Sequence, residues 1–315
     1  MFRAGHTMLS LIVRRLLAGV FVLWGAATLI FLIVRVAPGD PATVLLGPDA
    51  EPDQIAAMRV RLGLDRPILL QYWDYLGQSL RLDFGDSYRL ATSAIDAVLS
   101  RLPATIDLTL TSAVISVFAG LLLGSAAGIR AGSGQDRIVT TLTIVLQSFP
   151  TFWIGIMLIL VFALGLRLLP TSGAQSLSSL VLPAVTLSFP FTAIVARVAR
   201  SGIAEAMAEP YVQTALSKGL TPREVLTGHV LRNALIPVTT VVGLQIGALL
   251  GGAVVVENVF AWPGLGTLIV ESVGNRDYAV VQAATLTIAA IIVLLNLAAD
   301  LLYAQLDPRI RGAAS

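Results

Sequence analysis

Cysteine is absent from this chain, lysine occurs once, at Lys218, and histidine twice, at His6 and His229. Without a thiol there is no disulfide, no thiolate metal site and no cysteine nucleophile. Two histidines so far apart make a poor zinc site, which needs ligands clustered at helical or loop spacing. The single lysine precedes Gly219 rather than Ser or Thr, so there is no Gly-Lys-Ser/Thr phosphate loop with which to hydrolyse ATP. Gly132-Ser133-Gly134 reads as a loop turn, and neither histidine falls in an apolar run where it could activate a serine. These absences point away from an enzyme and predict no cofactor and no metal for the chain itself.

Charge is scarce as well: 13% of the 315 residues are charged against 56% hydrophobic, with a mean hydropathy of +0.83. That leaves too little polar surface for a soluble globule, and the lipid bilayer is the expected surrounding. The net charge of +2 is spread out with no basic run, which argues against nucleic acid as a partner. Long apolar runs fall at 12–34, 106–129, 138–164, 180–198, 238–256 and 280–302. Each is near the ~20 residues that a spanning helix needs. The first is too long for a signal-peptide core and has no small-residue cleavage site before Arg35, so it reads as a retained span. Pro183 and Pro190 interrupt the fourth, which neighbouring helices can accommodate. The expected fold is an all-α polytopic membrane protein of six transmembrane helices.

Arginine sets the expected orientation. Arg3, Arg14, Arg15, Arg130, Arg137, Arg197, Arg200, Lys218, Arg223, Arg232, Arg309 and Arg311 fall on one side, while the short loops opposite offer only Arg167 and Arg276. Both termini are then cytoplasmic, and the long segment 37–104 lies outside, since a loop of that size translocates largely regardless of its charge. Within it, 52–62 and 68–82 read as amphipathic helices, so it is expected to fold as a small extracytoplasmic domain. Tyr72, Trp73 and Tyr75 on the second could form an interfacial belt or a docking surface. The organisation expected is 1–36 for the N-terminus and first span, 37–104 for the outer domain, 105–303 for a five-span core, and 304–315 for a cytoplasmic tail.

The most informative stretch is a polar segment inside 200–237, between the fourth and fifth spans. Gly219 can take a left-handed turn and so end one short helix. Thr221-Pro222-Arg223-Glu224 starts another, with Thr as N-cap, Pro at the first helical position and Glu closing a capping box. Two short helices meeting at an elbow suit docking of a cytoplasmic partner.

Glycines recur every fourth residue at Gly120, Gly124 and Gly128 in the second span and at Gly243, Gly247 and Gly251 in the fifth, giving each a smooth face for close helix approach. Packing is the simpler reading; a fifth span that lines or gates a path is the functional one. Gln147 and Ser148, ahead of Phe149-Pro150, and Gln245 are the remaining polar candidates for a path, although a kink at Pro150 accounts for the first group equally well. Asp107 and Asp300 are expected near span ends, Asp107 close to a helix start. Without a mid-membrane acid or an inverted repeat, an ion-coupled secondary carrier is the weaker reading.

The chain also carries Pro38-Gly39-Asp40-Pro41, Leu62-Gly63-Leu64-Asp65-Arg66-Pro67, Asp83-Phe84-Gly85 and Arg101-Leu102-Pro103-Ala104-Thr105. Phe149-Pro150-Thr151-Phe152-Trp153, Ala215-Leu216-Ser217-Lys218-Gly219-Leu220 and Arg232-Asn233-Ala234-Leu235-Ile236-Pro237 follow. After them stand the 257–266 stretch from Glu257-Asn258 to Gly264-Leu265-Gly266, then Asn275-Arg276-Asp277-Tyr278 and Leu306-Asp307-Pro308-Arg309. In this order and spacing they resemble, nearly end to end, the permease subunits of dipeptide and oligopeptide ABC importers, in the branch with a large first outer loop. The resemblance implies the type I ABC importer permease fold and a coupling loop at 200–237. That loop's general form is Glu-Ala-Ala, three residues, Gly, nine residues, Ile-x-Leu-Pro. Gly219 and Leu231 fit it, whereas Gln213 and Thr214 replace Glu and Ala, and His229 and Arg232 replace Ile and Pro. By resemblance, Gln213, Ala215, Lys218, Gly219, Leu220, Thr221, Pro222 and Glu224 form the ATPase-coupling loop. The implied partners are a second homologous permease, two ATP-binding subunits carrying ATP and magnesium, and an extracytoplasmic substrate-binding protein, in a bacterial or archaeal cell membrane. Related permeases carry nickel, glutathione or other small solutes instead of peptides.

Overall fold

In lipid a single chain satisfies its backbone polar groups by coiling into helices. The computed structural model describes residues 3–36, 41–46, 50–61, 63–87 and 89–306. Its helices are α1 (Arg3–Val36), α2 (Pro41–Leu46), α3 (Pro52–Arg61), α4 (Ile68–Leu80), α5 (Ala94–Gly128), α6 (Gly134–Ser148), α7 (Thr151–Leu158), α8 (Leu177–Ala208), α9 (Pro210–Ser217), α10 (Pro222–Val225), α11 (Leu231–Val259), α12 (Leu265–Gly274) and α13 (Tyr278–Leu306). π-helical turns extend α7 over Ile159–Gly165 and join α10 to α11 over Leu226–Val230. One two-residue hairpin departs from the all-helical expectation: β1 (Asp86–Ser87) pairs antiparallel with β2 (Thr92–Ser93). The quoted motif residues 38–40, 62 and 307–309, together with Arg311, lie outside the described residues.

Five stretches are long and apolar enough to cross a membrane: Val13–Val36, Ala94–Gly128, Leu177–Ala208, Pro237–Val259 and Tyr278–Leu301. The third run read from the sequence is a bent pair instead of a straight span, α6 and the extended α7 meeting at 100°. Counted as one, the pair gives the expected six. The cause of the bend is local. Phe149 is extended, at φ −90° and ψ 139°, as steric clash with a following proline ring demands. Pro150 then caps α7, and Phe149 stacks on Trp153 at 4.6 Å.

The second span starts at Ala94, not near residue 106, so Asp107 is interior to α5 and not close to a helix start. Its entry signal is Ser93: the hydroxyl accepts from the Asp96 N–H at 3.2 Å and donates to the Asp96 carboxylate at 2.6 Å. This Ser-x-x-Asp cap lies upstream of the apolar run, and Pro103 is absorbed within the helix. The fourth span is continuous through both prolines.

Two compact units can be distinguished. One comprises residues up to Ile12, Thr105–Trp262 and the chain from Leu295. Its centre is α8, whose apolar window is 67% buried while the other four spans are 17–33% buried. The α5 glycines make its closest packing. A Cβ on Gly120 would sit 2.6 Å from Val195 Cβ, one on Gly124 2.4 Å from the Ala196 carbonyl oxygen, and one on Gly128 2.8 Å from the Arg200 carbonyl oxygen. Val13–Ala104 and Pro263–Leu294 form the other unit. In it, Ala94 and Val98 share a core with Leu265, Leu268 and Val280, while Tyr75 of α4 packs with Ala27 and Phe31 of α1. Tyr72 hydrogen-bonds Thr28 at 2.7 Å, so these two tyrosines are committed to α1, whereas Trp73 is exposed.

Candidate functional site

At the elbow, each turn of backbone follows from a side chain. Helix α9 begins at Pro210, with Glu209 extended before it. It ends in a Schellman motif: the Gly219 N–H bonds the Leu216 carbonyl at 3.0 Å and the Leu220 N–H bonds the Ala215 carbonyl at 3.3 Å. Gly219 itself stands at φ +86° with nothing near its missing Cβ, so conformation and not space requires glycine there. Thr221 then caps α10. Its hydroxyl accepts from the Glu224 N–H at 3.3 Å, and the Glu224 carboxylate accepts from the Thr221 N–H at 2.7 Å, closing the capping box. The Thr221 N–H, and the Thr221 hydroxyl donating to the same carboxylate at 2.8 Å, hold the Glu224 carboxyl below its ordinary value of 4.5.

The elbow differs from two short helices in one respect. Helix α10 does not stop but runs on through the π-helical turn into α11, so the chain is helical from Pro222 to Val259. The elbow also has its own core, in which Val212 and Ala215 of α9 pack with Ile203 and Ala206 of α8 and with Val225, Val230 and Ala234. Ala215 is thus an inward buttress. Gln213, Lys218, Gly219, Leu220, Thr221, Pro222 and Glu224 are all exposed.

The candidate path residues fall on separate helices. Gln147 and Ser148 are exposed at the α6–α7 bend; Arg197 of α8 donates to Gln147 Oε1 at 2.5 Å, and Ser148 bonds back to the Ile144 carbonyl at 2.8 Å. Gln245 is half-buried on α11. The α11 glycines do not form one contact stripe: Gly243 lies against Ala299, Gly247 is buried and Gly251 faces open space, while the neighbouring Gly252 approaches Leu187. After α11 the 257–262 turn is fixed by the Trp262 N–H on the Glu257 carbonyl at 2.8 Å, and the buried Glu257 carboxylate accepts from Thr105 Oγ1 at 2.6 Å.

A chain of apolar spans with a capped elbow feeding α11 belongs to a known group. Residues 120–312 match the family described as binding-protein-dependent transport system inner membrane component, and residues 8–109 match the N-terminal component of such membrane proteins. The chain belongs to the binding-protein-dependent transport system inner membrane component family. It is 42% identical over 304 residues to the glutathione transport system permease protein GsiC of Escherichia coli (strain K12) and to that of Salmonella typhi, with 96% of this chain and 99% of each relative covered. Among solved structures it is similar to the inward-facing MetNI methionine ABC transporter, with a TM-score of 0.56 at 20% identity over 67% of this chain and 96% of that one. An amino acid ABC transporter crystallised with histidines gives 0.50 at 18% identity, over 68% and 94%. At such identities the likeness speaks for the fold alone, the type I importer permease fold. The chain is therefore the permease subunit of an ABC importer, a transport protein and not a catalyst.

Leu216 and Leu220, the second already among the coupling-loop residues, are both exposed at the elbow and give it an apolar pair. One feature of the permease escaped the sequence. In the spans, Arg200 of α8 grips the buried Asp136 of α6 through two hydrogen bonds, Nε to Oδ1 at 2.8 Å and Nη2 to Oδ2 at 2.7 Å. The available signal was Ser133-x-x-Asp136, another helix-start pattern, which places Asp136 but cannot name its partner. No cluster of three or more potential metal ligands occurs among the described residues.

Proposed function

We propose that this permease carries di- or oligopeptides, pairing with a second homologous permease and taking its drive from two ATP-binding subunits and its cargo from an extracytoplasmic binding protein. ATP and magnesium belong to those ATP-binding subunits. Both termini and the elbow face the cytoplasm, and the 37–104 domain faces outside, as the arginine distribution favours. The observation that carries the coupling role is the unbroken helix from Pro222 to Val259. An ATPase docking on Gln213, Lys218, Gly219, Leu220, Thr221, Pro222 and Glu224 pushes on a body braced by its own core, with Ala215 behind it, and the displacement enters α11 directly. The α6–α7 bend at Gln147, Ser148 and Pro150, and Gln245 with Gly243, Gly247 and Gly251 on α11, line or gate the path.

One observation favours a second cargo. The GsiC relatives are glutathione permeases by name, and glutathione is itself a modified tripeptide, so a peptide-type path suits either solute.

The coupling role is tested with Gly219→Val in the assembled importer. A branched residue forced to φ +86° costs roughly 1–2 kcal/mol, enough to reshape the turn without unfolding the spans. Uptake should fall severalfold while ATP hydrolysis continues, and Gly219→Asn, which tolerates that conformation better, should lose less. Full uptake in the valine variant would sink the role. Competition of unlabelled dipeptides and glutathione against labelled peptide uptake decides the cargo.

A further inference from the structure

In the unit made of Val13–Ala104 and Pro263–Leu294, a cavity of about 640 Å³ opens between the end of α1, α4, the β-hairpin and the turn before α13. Small-molecule sites measure roughly 300–1,000 Å³. Its wall is rich in charge, and most of that charge is matched. Arg66 pairs with Asp74 at 2.5 Å, Arg89 donates to Asn275 Oδ1 at 2.8 Å, and the Ser87 hydroxyl donates to Asp277 at 2.5 Å.

What is left over is two guanidinium groups and one carboxylate. Arg35 is half-buried over the Phe31 ring, 5.2 Å from its centroid, and faces no carboxylate partner among the described residues. A guanidinium removed from water in this way lacks the anion that would offset its desolvation. Among the described residues Arg276 has no side-chain partner either, and its backbone stands at φ +56°, a conformation that non-glycine residues seldom take and that clusters at ligand sites. The turn carrying it is pinned on both sides, by Arg89 on Asn275 and by Ser87 on Asp277. The hydroxyl of the buried Tyr75 makes no well-formed hydrogen bond among the described residues, its near neighbour being the Ser79 hydroxyl. Against these donors stand two acceptors without a partner among the described residues, the exposed Asp86 carboxylate and the buried Gln71 Oε1, whose own amide is spent on the Leu64 and Arg66 carbonyls.

We infer that this cavity is a binding site for a small zwitterion, an amino acid or short peptide whose carboxylate is taken by Arg35 and Arg276 and whose ammonium is taken by Asp86. Guanidinium forks suit a carboxylate, and a cavity lined by leftover charges of both signs suits a molecule carrying both. The site belongs to a different unit from the elbow and from α11. It does not depend on the transport reading, because binding is measured without ATPase or binding protein.

The test uses the full chain in lipid nanodiscs and trialanine as the probe, with its C-terminal amide and its N-acetyl form as controls, read by isothermal titration. Trialanine should bind saturably, and either control should bind more weakly by about tenfold or more, the loss of one charge-assisted contact. Arg35→Gln and Arg276→Gln should each impose a similar loss for trialanine and no further loss for the amide. Arg276 is exposed, so its variant folds even if the Arg35 variant does not. Equal binding of acid and amide, unchanged affinity in Arg276→Gln, or no saturable binding to the monodisperse wild-type chain would each overturn the site while leaving the importer assignment untouched.

Discussion

Gly124 has very little room, since a side chain there would drive into the Ala196 carbonyl of α8. Backbone cannot swing aside as a side chain can, so Gly124→Val should cost at least the ~1–3 kcal/mol typical of overpacking. Scanning fluorimetry in detergent should report a lowered melting temperature and a smaller monodisperse fraction. Gly77 is the contrasting case, a helix-interior glycine with nothing within 4 Å, and Gly77→Ala should stabilise by about 0.5–1 kcal/mol. A valine variant that melts with the wild type would mean that α5 and α8 do not approach so closely. The α5 stripe was legible because a four-residue glycine period has one main structural use. The same period in α11 was not, because spacing says that a face is smooth but not whether a neighbour lies against it: Gly243 meets Ala299 and Gly251 meets nothing. Arg200 was legible only as a positive charge on one side, since its partner Asp136 is distant in sequence.

Among the elements, the elbow was the most legible, because helix ends are written in local chemistry: a glycine able to reach φ +86° and a Thr-Pro-x-Glu start. Thr221→Ala removes the cap and should cost about 0.5–2 kcal/mol of local stability. The capping box also gives the elbow an acid limit. Glu224 is stabilised as the carboxylate, so its folded value lies below 4.5. Its contribution is fully present above that ordinary value and is lost as pH falls through the depressed one. Amide exchange at Leu220, Thr221 and Arg223 to Val225, followed from neutral pH downwards and corrected for intrinsic rates, should show protection constant above about pH 5 and declining below the ordinary glutamate range. Glu224→Gln should flatten that decline, and an unchanged pH dependence in the variant would remove Glu224 as its cause. Element boundaries fared worse where a signal lay outside the apolar run, as Ser93 does for α5, or inside it, as Pro150 does between α6 and α7.

For the whole molecule, hydropathy alone gave the helical membrane fold, since few other arrangements satisfy backbone groups in lipid. Which helices group together was not legible, because contacts such as Val98 with Leu265 join residues distant in the chain. Orientation rests on arginine placement and is open to a direct experiment in a protein with no native cysteine. Trp73→Cys should react with a membrane-impermeant maleimide in intact cells, and Ser217→Cys only after lysis. The reverse pattern would invert the topology. The π-helical turn Leu226–Val230 bears on how the elbow meets whatever docks there. Such a turn holds one residue more than an α-helical turn, and one residue corresponds to about 100° of rotation about a helix axis. The compass heading of the elbow around α11 is therefore set by a single surplus residue. Shortening the chain by one position there would keep every side chain of the docking face and point it in another direction.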